Sequence, residues 1–385
     1  MRAIIEAREL EQAVKTAGKA AGRSKHLPIL DGVRLTAAAG ELTIGGTDLT
    51  TWSTARAAGV VEIGAGPDSV IVSASILGKI AGKLSGLVHL ESGEGILTIY
   101  AGETKADIDT LCVDDFPEQG GTAGAVHLCD LTGAQFKAMA ARAKSCARAQ
   151  KHGGRAFLSS ISLLYGEGLA RFVTSDGFHL LVEEYPADVQ EAGVVMVEAA
   201  AVQRIAGLAK AADVVRLDVL QADTDPRVNE RARLVISFRS STFTVRGIDE
   251  QPFDFERIIP RATWPQATEL TVDRARLLAM VERASIVANP ERGAVMLTID
   301  GGGLMGSSSS LDRGAFCETL TADVKLQDDG RDLFDISFPC SILGEMLKGT
   351  KAMTASLTFT ESLKPARLRF DDAPALSWVV MPVKA

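Results

Sequence analysis

Catalysis or metal binding needs histidines, cysteines and carboxylates gathered at particular spacings, and this chain offers few. Its histidines, His26, His89, His127, His152 and His179, keep no metal-ligand spacing with the cysteines Cys112, Cys129, Cys146, Cys317 and Cys340. The cysteines are odd in number, scattered and without a C-x-x-C pair, a pattern of reduced thiols rather than a disulfide framework. His179 follows Asp176, Gly177 and Phe178 and carries the right group for acid–base work. It lacks a nucleophile partner, and a turn histidine of this kind more often serves as a structural or binding contact. Asp223, Asp225 and Glu230, in QADTDPRVNERA, lack the glycine of a calcium loop and read as an exposed connection. Asp114 and Asp115 stand beside Phe116-Pro117, a strand-ending turn. Gly301, Gly303 and Gly306 spell G-x-G-x-x-G, but four serines and Leu311 follow. That is a hairpin and strand, not the helix start that a nucleotide phosphate requires. With no G-x-x-x-x-G-K-[ST] or H-E-x-x-H either, the expectation is a non-catalytic chain with no metal and no cofactor. An enzyme centred on Cys146 or His179 stays as a rival reading.

The elements that carry these residues repeat. Across 385 residues one plan recurs three times: an amphipathic helix, alternating strands, a second helix, and more strands. In the first copy Leu10, Ala13, Val14, Ala17 and Ala21 form an apolar helical stripe, and Ile76, Leu77, Ile80 and Leu84 form the next, with Ser73 as N-cap. In the second, Asp130 caps a helix carrying Phe136, Met139, Ala140, Ala143 and Ala147, and another helix surrounds Val202, Ile205 and Ala206. In the third, Val272, Ala275, Leu278, Val281 and Ala284 open the copy, and Ile342, Leu343, Met346 and Leu347 mark its second helix. Linkers are expected at Gln119–Gly124 and Pro260–Pro265, giving domains 1–124, 125–264 and 265–385. A single long α+β domain with accidental internal similarity is the alternative.

Apolar residues make up 46% of the chain and aromatics only 5%, so cores must rest on Leu, Ile, Val and Ala. The opening MRAIIEARELEQAV has no signal-peptide core, and no stretch approaches the roughly 20 apolar residues of a membrane span. A soluble cytoplasmic protein is expected. The net charge of −8 argues against a generic nucleic-acid binder, yet the charge is segregated. The six helix windows together net +13, leaving −21 for the strands and loops. Lys15 and Lys19 lie opposite the Leu10/Val14 stripe, Lys79 and Lys83 opposite Ile76 and Ile80, and Lys137, Lys144 and Arg148 share a face. Any one such face is ordinary solvated helix. Six trending alike suggest a surface that follows a phosphate backbone without reading sequence. Few aromatics interleave with the basic residues, which favours duplex over single strands.

Several motifs, in order along the chain, resemble the bacterial DNA polymerase III beta subunit, the sliding clamp. They are Leu27-Pro28-Ile29-Leu30, Gly46-Thr47-Asp48-Leu49, Asp115-Phe116-Pro117, Ser175-Asp176-Gly177-Phe178-His179-Leu180, Phe255-Glu256-Arg257-Ile258-Ile259-Pro260 and Val379-Val380-Met381-Pro382-Val383. The resemblance implies an α+β fold of three similar clamp domains, with paired helices on one face and antiparallel sheets on the other, forming a head-to-tail homodimeric ring around duplex DNA. It implies DNA contacts at Arg23, and with helix position at Lys79, Lys83, Lys137, Lys144, Arg148 and Arg204. It implies a dimer contact pairing Ala106 and Ile108 with Ile286 and Val287. It implies a peptide pocket walled by Leu158, Ser175, Gly177, Phe178, His179, Leu180, Arg257, Ile258, Val380, Met381 and Pro382. The implied partners are the polymerase III alpha subunit, the clamp loader and other proteins bearing clamp-binding peptides. Departures occur at Phe178-His179, where a His-Arg pair is usual, at Pro252-Phe253, and at Lys384-Ala385, where Arg-Leu is common. They bear on peptide preference, leaving open a specialised second clamp or a clamp-fold scaffold.

Overall fold

The computed structural model describes residues 1–22, 27–38, 40–62, 69–118, 121–147, 154–222, 231–250, 252, 254–264, 266–291, 293–300, 303–326 and 333–384. Arg23, Arg148 and the carboxylates Asp223, Asp225 and Glu230 lie outside them. Among the described residues there are six α-helices: α1 (Ala7–Ala17), α2 (Ala74–Ala81), α3 (Gly133–Cys146), α4 (Ala199–Ala206), α5 (Arg274–Val287) and α6 (Cys340–Lys348). Each falls in an expected helix window, and each follows directly on a strand. All registered strand pairs are antiparallel, so the class is α+β. No described helix is long and apolar enough to cross a membrane.

Local chemistry sets the helix starts. Ser73 Oγ accepts from the Ile76 amide at 3.4 Å, and Asp273 Oδ1 accepts from the Arg276 amide at 2.8 Å. Asp130 is not the cap of α3; it lies inside the strand Val126–Thr132. Thr132 and Gln135 cap that helix reciprocally, Gln135 Oε1 accepting from the Thr132 amide at 2.9 Å and Thr132 Oγ1 from the Gln135 amide at 3.2 Å. The expected stripes of α1 and α3 are buried except at their last positions, Ala21 and Ala147, which lie beyond the helix ends and are half-buried. Two others are rotated. In α2 the core-facing residues are Leu77 and Ala81, while Ile76 is 50% exposed and shares the outer face with Lys79 and Lys83. In α5 the buried set is Leu277, Met280, Val281 and Ala284, with Ala275 exposed, because Val272 belongs to the preceding strand.

The chain falls into two compact units. The first comprises 1–140, 166–168 and 187–249, and the second 141–165, 169–186 and 250–385. In the first, α1 and α2 pack together over a core of Leu10, Val14, Leu35, Ile44, Leu77 and Ile99. Its five-stranded sheet runs Gly59–Glu62, Arg2–Glu6, Leu87–Gly93, Ile96–Ala101, Thr104–Asp109. Its eight-stranded sheet runs from Val126–Thr132 to Ser69–Ser73, and at its middle Ser241–Arg246 pairs with Thr51–Ala57, Phe243 opposite Ser53. In the second unit α5 packs on α6. A four-stranded sheet has Gly314–Leu320 at one edge, and in the larger sheet His179–Pro186 pairs with Leu376–Val380, Leu181 opposite Trp378. Both joints pair strands from either side of an expected boundary, so each sheet runs unbroken past it. That is why these units do not follow the limits at 124 and 264.

Candidate functional site

The turn between the strands Leu169–Ser175 and His179–Pro186 is built by its own side chains. Gly177 adopts φ +87°, a left-handed conformation that a Cβ would strain. Asp176 Oδ1 accepts from the Phe178 amide at 2.7 Å and the His179 amide at 2.9 Å. Ser175 Oγ accepts from the Gly177 amide at 3.0 Å and donates to the His179 carbonyl at 2.8 Å. Burial alone would push the Asp176 carboxyl up. The His179 side chain and the two amides outweigh it and hold the group at about 2. His179 Nδ1 lies 3.0 Å from Asp176 Oδ1, an ion pair when the ring is protonated, but without hydrogen-bond geometry. The ring stacks on Trp378 with centroids 5.8 Å apart.

Beside this turn a cavity of about 240 Å³ opens in the second unit. Seven of the residues expected from the sequence line it: Ser175, Gly177, Phe178, His179, Leu180, Ile258 and Met381. The turn and the final strand are tied where Phe178 O accepts from the Met381 amide at 2.9 Å. Phe178 is 56% exposed although it belongs to the wall, so an apolar aromatic edge faces solvent at the mouth. The other four expected residues do not line it. In place of Leu158 the neighbouring Phe157 does. In place of Val380 it is Val379, which pairs with Leu180 on one face of the sheet, whereas Val380 pairs with His179 and faces the other side. Arg257 is largely exposed and ion-paired to Asp254 at 2.7 Å. Pro382 is half-buried outside the lining. Arg155, Phe157 and Val379 were missed; strand alternation through the buried Leu180 points to Val379, but no sequence signal singles out the other two.

Cys146 is not an activated nucleophile. Its thiol is buried, donates to the Thr174 carbonyl at 3.2 Å, and burial raises it well above the usual thiol range. Among the described residues no group of three or more His, Cys, Asp or Glu is placed to hold a metal.

The expected helix cations divide into two kinds. Lys79, Lys83 and Lys137 are exposed and Lys144 half-buried, and among the described residues none has a carboxylate within 4.0 Å. Lys15 and Lys19 line an open groove of about 790 Å³ that also takes in Ser73, Ser75 and Gly78 beside α2. Three helix arginines are engaged instead. Arg204 pairs with Asp48 at 3.0 Å, Arg283 with Glu318 at 2.6 Å, and Arg142 with Glu183 at 2.6 Å. Arg204 is therefore a weaker cation toward outside partners than its helix position suggested.

Of the expected dimer residues, Ala106 and Ile108 lie on Thr104–Asp109, the edge strand of the five-stranded sheet, half-buried and buried respectively. Ile286 is 70% exposed and Val287 half-buried at the end of α5.

Residues 1–119 match the family model of the DNA polymerase III beta subunit, N-terminal domain, and residues 256–384 match that of the C-terminal domain. A curated relative, the beta sliding clamp of Pseudomonas aeruginosa, is 24% identical over 370 residues, 94% of each chain. Among solved structures, the DNA polymerase III subunit beta of P. aeruginosa aligns at TM-score 0.85 and 22% identity, covering 100% of both chains. The DNA polymerase sliding clamp of Bacillus subtilis aligns at TM-score 0.84 and 18% identity, covering 100% of this chain and 99% of that one.

Proposed function

The chain belongs to the DNA polymerase III beta-subunit family, and we propose that it is a sliding clamp that encircles duplex DNA and tethers the replicative polymerase to it. The observation that carries the reading is that both ends of one chain match the two terminal domains of that family, over 1–119 and 256–384. The fold is compatible: three repeats, 1–124, 125–264 and 265–385, each supply two strand–helix units. Two copies meeting head to tail, Ala106 and Ile108 against Ile286 and Val287, would close a ring, since a heterologous contact that closes leaves no free end.

The lysines suit such a task. A ring is retained by topology, so its inner face needs only weak contacts. Lys79, Lys83, Lys137 and Lys144, free of carboxylate partners among the described residues, can meet phosphates through water and exchange them as the duplex moves. The cavity under Phe178 suits a short linear peptide, with Leu180, Val379 and Met381 receiving an apolar anchor. The polymerase III alpha subunit, the clamp loader and other proteins with such peptides are the proposed partners. On chromosomal DNA of a bacterial cell, the site of action is the cytoplasm. No residue is assigned a catalytic role.

The test is retention on nicked circular plasmid after loading with the cognate loader and ATP. The protein should stay on circles and run off once the DNA is linearised. Equal retention on circular and linear DNA would show binding by contact alone and overturn the proposal.

A further inference from the structure

A second concavity, of about 210 Å³, lies beside the apolar cavity on the same face of the same sheet. The strand register fixes this relation. Leu180 opposite Val379 walls the apolar cavity; Val182 opposite Ser377 walls the second. Residues two apart on a strand share a face, so the centres are separated by about 7–14 Å, a span of two to four extended residues. The turn Glu256–Ile258 stands between them. Ile258 reaches the apolar cavity, while Phe255 and Ile259 pack with Val182 and line the other.

The second cavity has the opposite chemistry. Arg171, Arg261 and Arg367 line it against two carboxylates. Both carboxylates are already engaged by one guanidinium, Arg171 Nε to Glu184 at 2.9 Å and Arg171 Nη1 to Glu256 at 3.0 Å. Arg367 donates to Ser377 Oγ at 2.7 Å and, like Arg261, has no carboxylate within 4.0 Å among the described residues. Burial first, then the neighbouring Arg369 and Arg261, lower the hold of Arg367 on its proton, and Glu184 only partly offsets them. The site is thus an incompletely neutralised arginine pair, Arg367 half-buried and Arg261 exposed at its edge, an arrangement that can bind a planar oxyanion through charge-assisted hydrogen bonds. Arg367 also stands opposite Val379, so whatever it binds lies next to the occupant of the apolar cavity.

We propose that Arg261 and Arg367 form an acidic subsite, which takes an aspartate or glutamate carboxylate two to four residues from the apolar anchor of the peptide in the neighbouring cavity. The inference rests on the peptide-pocket reading and adds to it a charge preference in the flanking sequence. It fits the register, because an extended peptide leaving the apolar cavity along the sheet passes over Arg367.

The experiment uses the full chain and five fluorescein-labelled peptides: a hexapeptide with leucine and phenylalanine anchors and neutral ends, and the same peptide extended on either side by three glutamates or, as controls, by three serines. Extension on one side should tighten binding about fivefold, as expected for partly screened charge pairs. The gain should vanish in R261S and in R367Q and in 0.5 M salt, with the neutral peptide unaffected. R261S alters an exposed residue, so it keeps the test valid if R367Q folds poorly. No gain on either side relative to serine extensions, or a gain that survives both substitutions, overturns the proposal. A parallel titration with inorganic phosphate, followed at the arginine Nε–H resonances, separates the two readings. If the neutral peptide fails to bind while phosphate and the glutamate extensions still act on Arg261 and Arg367, the apolar pocket falls and the acidic subsite stands. If phosphate saturates the arginines but peptide charge has no effect, the occupant is a free oxyanion and the peptide-borne carboxylate is ruled out.

Discussion

Single residues in the turn before His179 explain why the motif there has the form it does. Gly177 is required by its φ of +87°, and Asp176 by the two amides it accepts from, so the motif records a backbone shape. Asp176 also sets a pH dependence. Its carboxyl is held at about 2, below its ordinary 3.8, so its stabilisation is complete above about pH 4 and is lost as the pH falls toward 2. The shift corresponds to about 2 kcal/mol. D176N should therefore lower the melting temperature at pH 7 and flatten the decline between pH 4 and 2, as followed by circular dichroism. A variant that melts like the parent at both ends of that range would contradict this account. The same turn shows the limit of reading a wall from motifs. Ser175, Gly177, Phe178, His179 and Leu180 were legible because neighbouring turn residues crowd one place. Val379 was exchanged with Val380 because the resemblance conveys which segment approaches and not which strand face it presents.

Helices were legible as elements, and less so in phase. Apolar spacing placed all six, but in α2 and α5 the core face was displaced: Ile76 and Ala275, expected inside, are exposed. Nor does sequence say which basic side chains turn inward. Arg142, on α3, makes two bonds to Glu183, at 2.8 and 2.6 Å, and Tyr185 donates to the same carboxylate at 2.9 Å. Burial opposes the Arg142 charge, and Glu183 more than compensates, raising its affinity for its proton. Removing one partner of a buried pair leaves the other uncompensated, so R142A should cost about 3–5 kcal/mol in urea denaturation. A loss under about 1 kcal/mol would mean that water replaces the guanidinium easily. Gly46 fixes another junction. A Cβ there would stand 2.4 Å from the Ala17 carbonyl at the end of α1, where Ser53 Oγ also donates at 3.0 Å. G46A should destabilise by about 1–3 kcal/mol, read as a lower denaturant midpoint at constant slope.

At the scale of the molecule, charge and assembly carry the predictions. K79Q/K83Q/K137Q should weaken direct binding to duplex several-fold at low salt and flatten its salt dependence. The lifetime on closed circles should change by less than about twofold, because topology does not depend on those lysines. An equal collapse of both quantities would count against encirclement. Light scattering should give about twice the chain mass of 40.7 kDa, and I286D, at a residue 70% exposed, should yield folded monomer. The six strand–helix units were readable from periodic helices and strands. The two compact units were not, because which strands pair across a repeat boundary depends on edges that no local pattern marks. Those two joints make the repeat of the sequence and the compact unit of the structure different objects. The middle third is dovetailed into both neighbours: one part finishes a sheet begun before residue 58, and another part is finished by a strand close to residue 380. A fragment cut at 264 would keep the first joint and bare the strand His179–Glu183 along the length that Leu376–Val380 had covered, an open template for aggregation. Excised repeats should therefore be insoluble where the whole chain is not, and a protease that nicks at 264 should release no autonomous third.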